Sequence, residues 1–296
     1  MPWPIIYLTT CSEWGNILMP YATRNQVGKG REMKTQMFLN RKTVFDVREF
    51  DDFYSLERPG KATTRRALLR YYVRTGRVKQ VRKGLYLSML PGRPVVADPY
   101  LICAKMAPDA VLAYHTAMQF HGKVYTVRND YVCCSRSRAH SFEYEGQTFK
   151  AVLFPRSLLV SGQESFAVEE AESQGETLRV TSLERTMVDM LQRPELSGGW
   201  EEVWRSLELV EYYHLDKIVE YVELLDNATT AAKVGFFLDQ HREQLMVDPS
   251  HLERLKARCP KSPHYLERSH KGNSKLFPDW NLVVPDFIVE RHWDEQ

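Results

Sequence analysis

The chain has 296 residues, 43% of them hydrophobic, which is enough to bury a sizeable core and favours two domains of unequal size. Its 40 Lys and Arg residues nearly balance its 38 Asp and Glu residues, so the formal net charge is only +2. No apolar run approaches the roughly 18 to 20 residues that span a bilayer, so we expect a soluble protein without a membrane segment. The odd number of cysteines, five, favours a cytoplasmic location.

The first 32 residues show neither helical nor strand periodicity. Residues 29–32, Lys-Gly-Arg-Glu, can be encoded by purine-rich codons like those of a bacterial ribosome-binding site, and Met33 follows them directly. We therefore predict that translation starts at Met33 or Met37. Residues 1–32 would then be a non-native or disordered leader.

A first helix is predicted to begin after Asp46 and to run to about Leu56. Asp46 can cap the helix N-terminus, and Glu49, three residues later, completes a capping box. The outer face of this helix is acidic because it carries Glu49, Asp51 and Asp52. We do not expect it to contact phosphate.

A second helix is predicted to begin at Thr63 or Thr64 and to end at Gly76, since glycine readily adopts the left-handed conformation that ends a helix. Apolar residues recur on one side of this helix, and basic residues recur on the other at four-residue spacing. The basic face consists of Arg66, Arg70 and Arg74. The apolar face can therefore pack against a core, and the basic face can bind an anion.

The segment from Arg77 to Leu87 is predicted to form a short basic β-hairpin that turns at Arg82-Lys83-Gly84. A helix, a turn, a basic helix and a basic hairpin together predict a small winged helix-turn-helix domain over residues 33–92. In such a domain the second helix enters the DNA major groove with its N-terminal residues leading, and the hairpin lies along the backbone.

The charge distribution supports nucleic-acid binding. Eleven basic residues and no acidic residue lie between Arg58 and Ala97. Removing these 11 from the total of 40 leaves 29 basic residues against 38 acidic ones, a formal charge of about −9 for the rest of the chain. A basic module on an acidic body is typical of nucleic-acid-binding proteins, because neutralising phosphates releases condensed counterions.

Ten residues are predicted to contact DNA. Thr64, Arg65 and Arg66, near the start of the second helix, can reach guanine N7 and O6 in the major groove. Cations of the hairpin would bind phosphate without reading sequence. The full set is Lys61, Thr63, Thr64, Arg65, Arg66, Arg70, Arg74, Lys79, Arg82 and Lys83.

Residues 93–296 are predicted to form a larger α+β domain, so the fold class of the whole protein is α+β. Its predicted elements are an apolar helix within residues 98–122, strands over 124–133 and 141–154, and packed helices over 215–255. Residues 280–289 return to strand character, and Pro285 within them predicts an edge strand, where proline is tolerated.

The larger domain offers no convincing catalytic or metal site. His115 and His121 lie six residues apart, whereas helical metal ligands usually lie three or four apart, so both are expected to be hydrogen bonded within the fold. Thr181–Glu184 forms a second capping-box pattern, and Arg185 with Asp189 is an i, i+4 ion pair that fixes the same helix. The five cysteines form no CxxC pair, which predicts a reduced protein without zinc. We expect no metal, no cofactor and no enzymatic activity.

Five blocks of the sequence carry a family resemblance. VFDVREF and TGRVKQVRKGLY resemble the N-terminal winged helix of the AbiEi-like antitoxins, which belong to bacterial type IV toxin–antitoxin systems of abortive infection. Three further blocks resemble the C-terminal domain of that family: Asp98–Gly122, Leu178–Val203 and Trp280–Pro285.

The resemblance implies a function in phage defence. It implies a transcriptional autorepressor that binds repeats of double-stranded DNA in its own promoter. It also implies an antitoxin that counteracts a nucleotidyltransferase-like toxin without forming a stable complex with it.

Two other functions stay open. A DNA-processing enzyme such as a nuclease needs clustered carboxylates and usually a nearby lysine, and the closest approach, Asp279, Asp286 and Glu290, has no suitable lysine after it. An RNA-binding interaction protein is the other alternative, because basic helices and wings also bind RNA.

Overall fold

The structure is a computed structural model that describes residues 35–57, 62–89 and 97–291. The chain divides into two units, Met1–Arg41 and Lys42–Gln296. In the first unit, residues 35–41 are helical and are called α1. The predicted leader, the predicted boundary between residues 92 and 93, and Lys61 lie outside the described residues.

The second unit begins with a small antiparallel sheet of three strands in the order β1-β3-β2. These strands are β1 (Val44–Asp46), β2 (Val78–Arg82) and β3 (Leu85–Ser88). Two helices, α2 (Val47–Glu57) and α3 (Ala62–Arg74), connect β1 to β2. The strands β2 and β3 form a hairpin, as predicted.

Local signals in the sequence position these elements. The Asp46 carboxylate accepts the N–H groups of Arg48 at 2.7 Å and Glu49 at 2.9 Å, and the Glu49 carboxylate accepts the N–H of Asp46 at 3.0 Å. This reciprocal pair confirms the predicted capping box. Gly76 follows α3 with φ +71° and Gly84 turns the hairpin with φ +89°, conformations that glycine adopts without steric cost.

The rest of the unit is built on a six-stranded mixed sheet in the order β6-β7-β5-β4-β9-β8. Its strands are β4 (Val111–Leu112), β5 (Asp130–Ser135), β6 (Phe142–Tyr144), β7 (Gln147–Leu153), β8 (Val168–Ser173) and β9 (Glu176–Thr181). Two pairs, β5 with β7 and β4 with β9, are parallel, and the other pairs are antiparallel.

Helices and a second small sheet complete the unit. The helices are α4 (Pro99–Ala104), α5 (Tyr114–Phe120), α6 (Arg156–Ser161), α7 (Leu183–Gln192), α8 (Trp200–Glu208), α9 (Leu215–Leu225), α10 (Ala228–Gln240), α11 (Pro249–Lys256) and α12 (Asp286–Val289). The small sheet consists of β10 (His264–Tyr265), β12 (Leu282–Pro285) and β11 (Ser274–Phe277), with β12 in the middle. Strands and helices thus follow one another as expected for the predicted α+β class.

Several local predictions were wrong. Residues 124–129, predicted as strand, are not part of β5, which begins at Asp130. Residues 286–289, also predicted as strand, form the helix α12. Val111 and Leu112, predicted to be helical, pair with β5 and β9 as the strand β4. The N-cap of α7 is Ser182 rather than Thr181, because the Ser182 hydroxyl accepts the N–H of Arg185. The strand β12 is central rather than at an edge, and Pro285 is its last residue.

The first small sheet shares a core with the six-stranded sheet. Val44 and Leu87, from β1 and β3, belong to the same buried cluster as Leu101 of α4 and Phe149 of β7. Burial of such side chains stabilises by about 1.5 to 3 kcal/mol each. The first small sheet is therefore fixed to the larger sheet by apolar contacts.

Candidate nucleic-acid interface

The helix α3 presents one apolar face and one basic face. Leu69 and Tyr72 are buried, whereas Arg66 and Arg70 are exposed to solvent. No acidic residue occurs in α3. The cationic side chains of the exposed face therefore have no counter-ion on their own helix.

A groove of about 770 Å³ lies between α3 and the β2–β3 hairpin. Arg66 and Arg70 line it from the helix, and Lys83 lines it from the hairpin turn. The other lining residues are Val47, Thr63, Leu69, Val73, Gln80, Gly84 and Tyr86. Because none of these described residues is acidic, the groove concentrates positive charge on one side of the protein. We call it the basic groove.

Two more predicted contact residues lie beside the basic groove. Thr64 is exposed in the first turn of α3. Arg74 is exposed at the end of the helix, where its guanidinium lies 5.8 Å from the centre of the Tyr71 ring. Both side chains are on the surface, but neither lines the groove.

Arg65 lies next to Arg66 in sequence but has a different environment. Its Nε is 2.9 Å from Oδ1 of Asp51 on α2, and only 18% of its side chain is exposed. Asp51 belongs to the acidic face of α2, which we did not expect to contact phosphate, whereas Arg65 was predicted to contact DNA. The two side chains form an ion pair with each other. The structure uses Arg65 to join the two helices.

The hairpin cations Lys79 and Arg82 contact the β6–β7 hairpin. Nζ of Lys79 lies 2.5 Å from Oε1 of Glu145, and this hydrogen-bonded pair raises the pKa of Lys79 to about 12. Arg82 donates from Nη2 to the carbonyl of Met106 at 2.6 Å, and its guanidinium lies 5.0 Å from the centre of the Phe142 ring. The structure does not bring these two cations into the basic groove, and a DNA contact by either of them stays a prediction.

A cluster of charges lies where β1 meets the larger sheet. The Glu176 carboxylate accepts the N–H groups of Thr43 at 3.0 Å and Val44 at 3.4 Å. Lys42 and Lys105 each approach the same carboxylate to 3.1 Å. Sequence reasoning missed this cluster, because its members are far apart along the chain and follow no local pattern.

The two histidines have partners within the fold, as predicted. Nε2 of His115 lies 3.1 Å from Oε1 of Glu202, and Nε2 of His121 lies 2.8 Å from the carbonyl oxygen of Thr181. Within residues 35–57, 62–89 and 97–291, no three His, Cys, Asp or Glu side chains are grouped so that they could hold a metal ion. In the same ranges, no helix is both long and apolar enough to cross a membrane.

The predicted pair Arg185 and Asp189 is fully buried. Nε of Arg185 is 3.5 Å from Oδ2 of Asp189, and its Nη1 donates to the carbonyls of Glu164 and Phe166, both at 2.7 Å. The Tyr221 hydroxyl donates to Asp189 at 2.7 Å. This network joins α7 to α9 and to the loop before β8, which agrees with a structural role for the pair.

Comparison with known proteins shows a likeness in fold and none in sequence. No protein-family model matches the chain, and no curated protein is significantly similar to it in sequence. The structure is similar to the crystal structure of the RV2827C protein from Mycobacterium tuberculosis, with a TM-score of 0.58 and 17% sequence identity. The match covers 93% of this chain and 94% of that chain. At this identity the likeness concerns the fold alone.

Proposed function

We propose that the protein binds double-stranded DNA through α3 and the β2–β3 hairpin and represses transcription of its own promoter. The observation that carries this proposal is the convergence of Arg66, Arg70 and Lys83 on one groove whose described lining contains no carboxylate. None of these three cations forms an ion pair with a described residue, and contacts between such cations and phosphates supply most of the non-specific affinity for a nucleic acid.

The order of elements supports a winged helix-turn-helix domain. Within the second unit, a strand, two helices and an antiparallel hairpin follow one another as β1, α2, α3, β2 and β3. In this arrangement α3 would enter the major groove and Lys83, at the hairpin turn, would contact the backbone.

Duplex DNA is favoured over RNA as the ligand. An α-helix fits the major groove of B-form DNA, which is about 12 Å wide. The major groove of A-form RNA is too narrow to admit side chains of a helix. A nuclease is disfavoured because metal-assisted phosphodiester cleavage needs carboxylates near the bound backbone, and the described residues that line the basic groove include none.

Competition binding tests the choice of ligand. A labelled duplex from the region upstream of the protein's own reading frame would be competed with unlabelled upstream duplex, scrambled duplex and structured RNA of equal length. The proposal predicts that the upstream duplex competes about 1,000-fold better than the scrambled duplex. Structured RNA competing better than any duplex would favour the RNA-binding alternative.

We further propose that the protein is the antitoxin of a type IV toxin–antitoxin system that counteracts a nucleotidyltransferase-like toxin. The support is the sequence resemblance to AbiEi-like antitoxins, three blocks of which lie in the larger part of the fold. Co-expression of the full chain with a nucleotidyltransferase-like protein encoded beside it should restore the growth that this toxin inhibits.

A variant separates the two proposed roles. The combination Arg66→Ala, Arg70→Ala and Lys83→Ala should abolish repression of the promoter but leave neutralisation of the toxin intact, because the blocks that resemble the antitoxin domain lie elsewhere. Loss of neutralisation by this variant at wild-type protein level would show that the toxin is countered through DNA binding alone.

A further inference from the structure

The helix α10 contains a buried lysine. Lys233 is flanked by the buried residues Ala232 and Val234, and only 8% of its surface is exposed. Lysine is almost never this buried unless its ammonium is paired, because removal of a charge from water is costly.

Lys233 has no such partner in the described parts of the chain. No hydrogen bond or ion pair joins its ammonium to a described residue. Its Nζ instead lies over the indole of Trp200, 4.9 Å from the ring centre. The face of an aromatic ring attracts a cation, but it supplies less than the hydrogen bonds that water would make.

The side chain lines a cavity of about 590 Å³ between α8, α10 and the segment around Arg268. A helical side chain leans towards the N-terminus of its helix, so the stem of Lys233 runs towards Thr229 and Thr230 in the first turn of α10. Both threonines also line the cavity. The side chain of Lys233 thus extends towards the end of α10 at which the helix dipole is positive.

Four other charged groups line the cavity: Glu195, Glu201, Glu267 and Arg268. Two of the carboxylates have partners of their own, since Glu195 is 2.9 Å from Nε of Arg193 and Glu267 accepts the Ser269 hydroxyl at 3.0 Å. Glu201 lies 3.4 Å from Nε of Arg205. Burial lowers the pKa of Lys233 to about 8, although Glu195 and Glu267 oppose this effect.

We propose that this cavity binds a small anion, a carboxylate or a phosphate monoester, and that Lys233 is the cation that pairs with the acid group. The anion would supply the partner that the ammonium lacks among the described residues, the Thr230 hydroxyl could donate to one of its oxygens, and Arg268 would add a second positive charge. The Thr229 hydroxyl already lies 2.6 Å from Nδ1 of His264. The site is separate from the basic groove and does not depend on the proposed DNA binding.

Thermal unfolding of the full chain tests the site, with inorganic phosphate and acetate as separate probes. We expect either anion to raise the Tm of the wild type by about 3 to 5 °C at roughly ten times its Kd. Lys233→Met should raise the Tm without anion, because it removes a buried charge, and should abolish the rise caused by the anion. If Lys233 had only a structural role, its replacement by Met would instead lower the Tm.

A control excludes anion binding at the basic groove. The variant Arg66→Ala, Arg70→Ala, Lys83→Ala should keep the anion-dependent rise in Tm, and Lys150→Met, at an exposed lysine of β7, should behave like the wild type. Failure of DNA binding and failure of this site are therefore distinguishable.

A pH titration uses the wild-type protein alone, so it stands even if Lys233→Met fails to fold. Acetate stays ionised above pH 7, and Lys233 loses its proton at about pH 8. The affinity for acetate should therefore fall roughly tenfold between pH 7 and pH 9. In ¹³C-lysine-labelled protein, added phosphate should raise the pKa of the Lys233 ammonium. An unchanged pKa and no anion-dependent rise in Tm would overturn the proposal.

Discussion

Arg65 and Arg66 are neighbours in the sequence but point to different environments. Successive residues of a helix differ by about 100° in direction, so Arg65 reaches Asp51 on α2 while Arg66 lines the basic groove. The same contrast separates Lys83 in the groove from Arg82, whose guanidinium bonds to a backbone carbonyl. The number of basic residues in this segment therefore overstates the charge that is available to a ligand.

Replacement of Arg66 tests sequence reading. Arg66→Ala should weaken binding to the upstream duplex by about 1 to 3 kcal/mol and relax its base preference, if the guanidinium makes a bidentate contact with guanine. Arg242→Ala, at an exposed arginine after α10, is the matched control. Equal affinities of the two variants across a panel of operator mutants would contradict a reading role for Arg66.

The lowered pKa of Glu202 predicts that the stability of the fold depends on pH. Burial alone would raise its pKa, but hydrogen bonds from His115, the Ser206 hydroxyl and the Thr126 amide lower the pKa to about 2. A carboxyl whose pKa is lower in the folded state stabilises the fold above its unfolded pKa, near 4.5, and loses this contribution as the pH falls towards 2.

The stabilisation by Glu202 is measured against Glu202→Gln in denaturant unfolding. The difference in free energy of unfolding between wild type and variant should shrink by about 2 kcal/mol from pH 7 to pH 3. Glu201→Gln, at an exposed position of the same helix, controls for the loss of one carboxylate. A difference that stays constant with pH would show that the carboxylate is not stabilised in the fold.

At the scale of elements, α10 packs closely against the 3₁₀ turn Pro278–Trp280 at Gly235. A Cβ atom added to Gly235 would lie 2.0 Å from Cζ3 of Trp280. The indole is fixed, because its Nε1 donates to Asp239 at 3.1 Å and the ring is buried. Glycine is therefore needed inside this helix, although it is a poor helix former.

Gly235→Ala should lower the free energy of unfolding by about 1 to 3 kcal/mol, despite the better helix propensity of alanine. Trp280→Phe removes the ring atoms that would clash, so the double variant should lose less stability than the sum of the two single variants. A more stable Gly235→Ala protein would contradict the close packing.

The elements also show which features the sequence determines locally. The capping box of Asp46 and Glu49, the stop at Gly76 and the hairpin turn depend on residues within four positions of one another, and all three were predicted. The contact of Lys79 with Glu145 spans 66 residues, and no local pattern indicates it. The two-residue strand β4 is too short to produce a period, so its residues were assigned to a helix.

For the candidate site, too, the sequence predicted the locally determined part but not the part that depends on tertiary contacts. The basic face of α3 follows from helical spacing, and Arg66 and Arg70 lie where that spacing places them. Arg65, Lys79 and Arg82 contact other protein residues through tertiary packing. The spacing of residues along the sequence does not reveal such contacts. The cavity around Lys233 likewise depends on elements that are distant in sequence.

At the scale of the molecule, positive charge is concentrated in one segment of the chain. The segment from Arg58 to Ala97 carries 11 basic residues, and the rest of the chain has an excess of acidic ones. The first small sheet shares a core with the larger sheet, so DNA bound at α3 would lie on the same unit as most of this negatively charged remainder. Repulsion by the net negative charge would favour binding with the basic groove towards the duplex.

The most direct test of the proposed function is the salt dependence of binding to the upstream duplex. Anisotropy titrations over a range of KCl concentrations would compare the wild type with Lys83→Ala and with the triple variant Arg66→Ala, Arg70→Ala, Lys83→Ala. If Arg70 and Lys83 bind phosphate while Arg66 contacts a base, the slope of log K against log salt should decrease by about one for Lys83→Ala and by about two for the triple variant. A triple variant that folds normally and keeps the wild-type slope and affinity would contradict DNA binding through the basic groove.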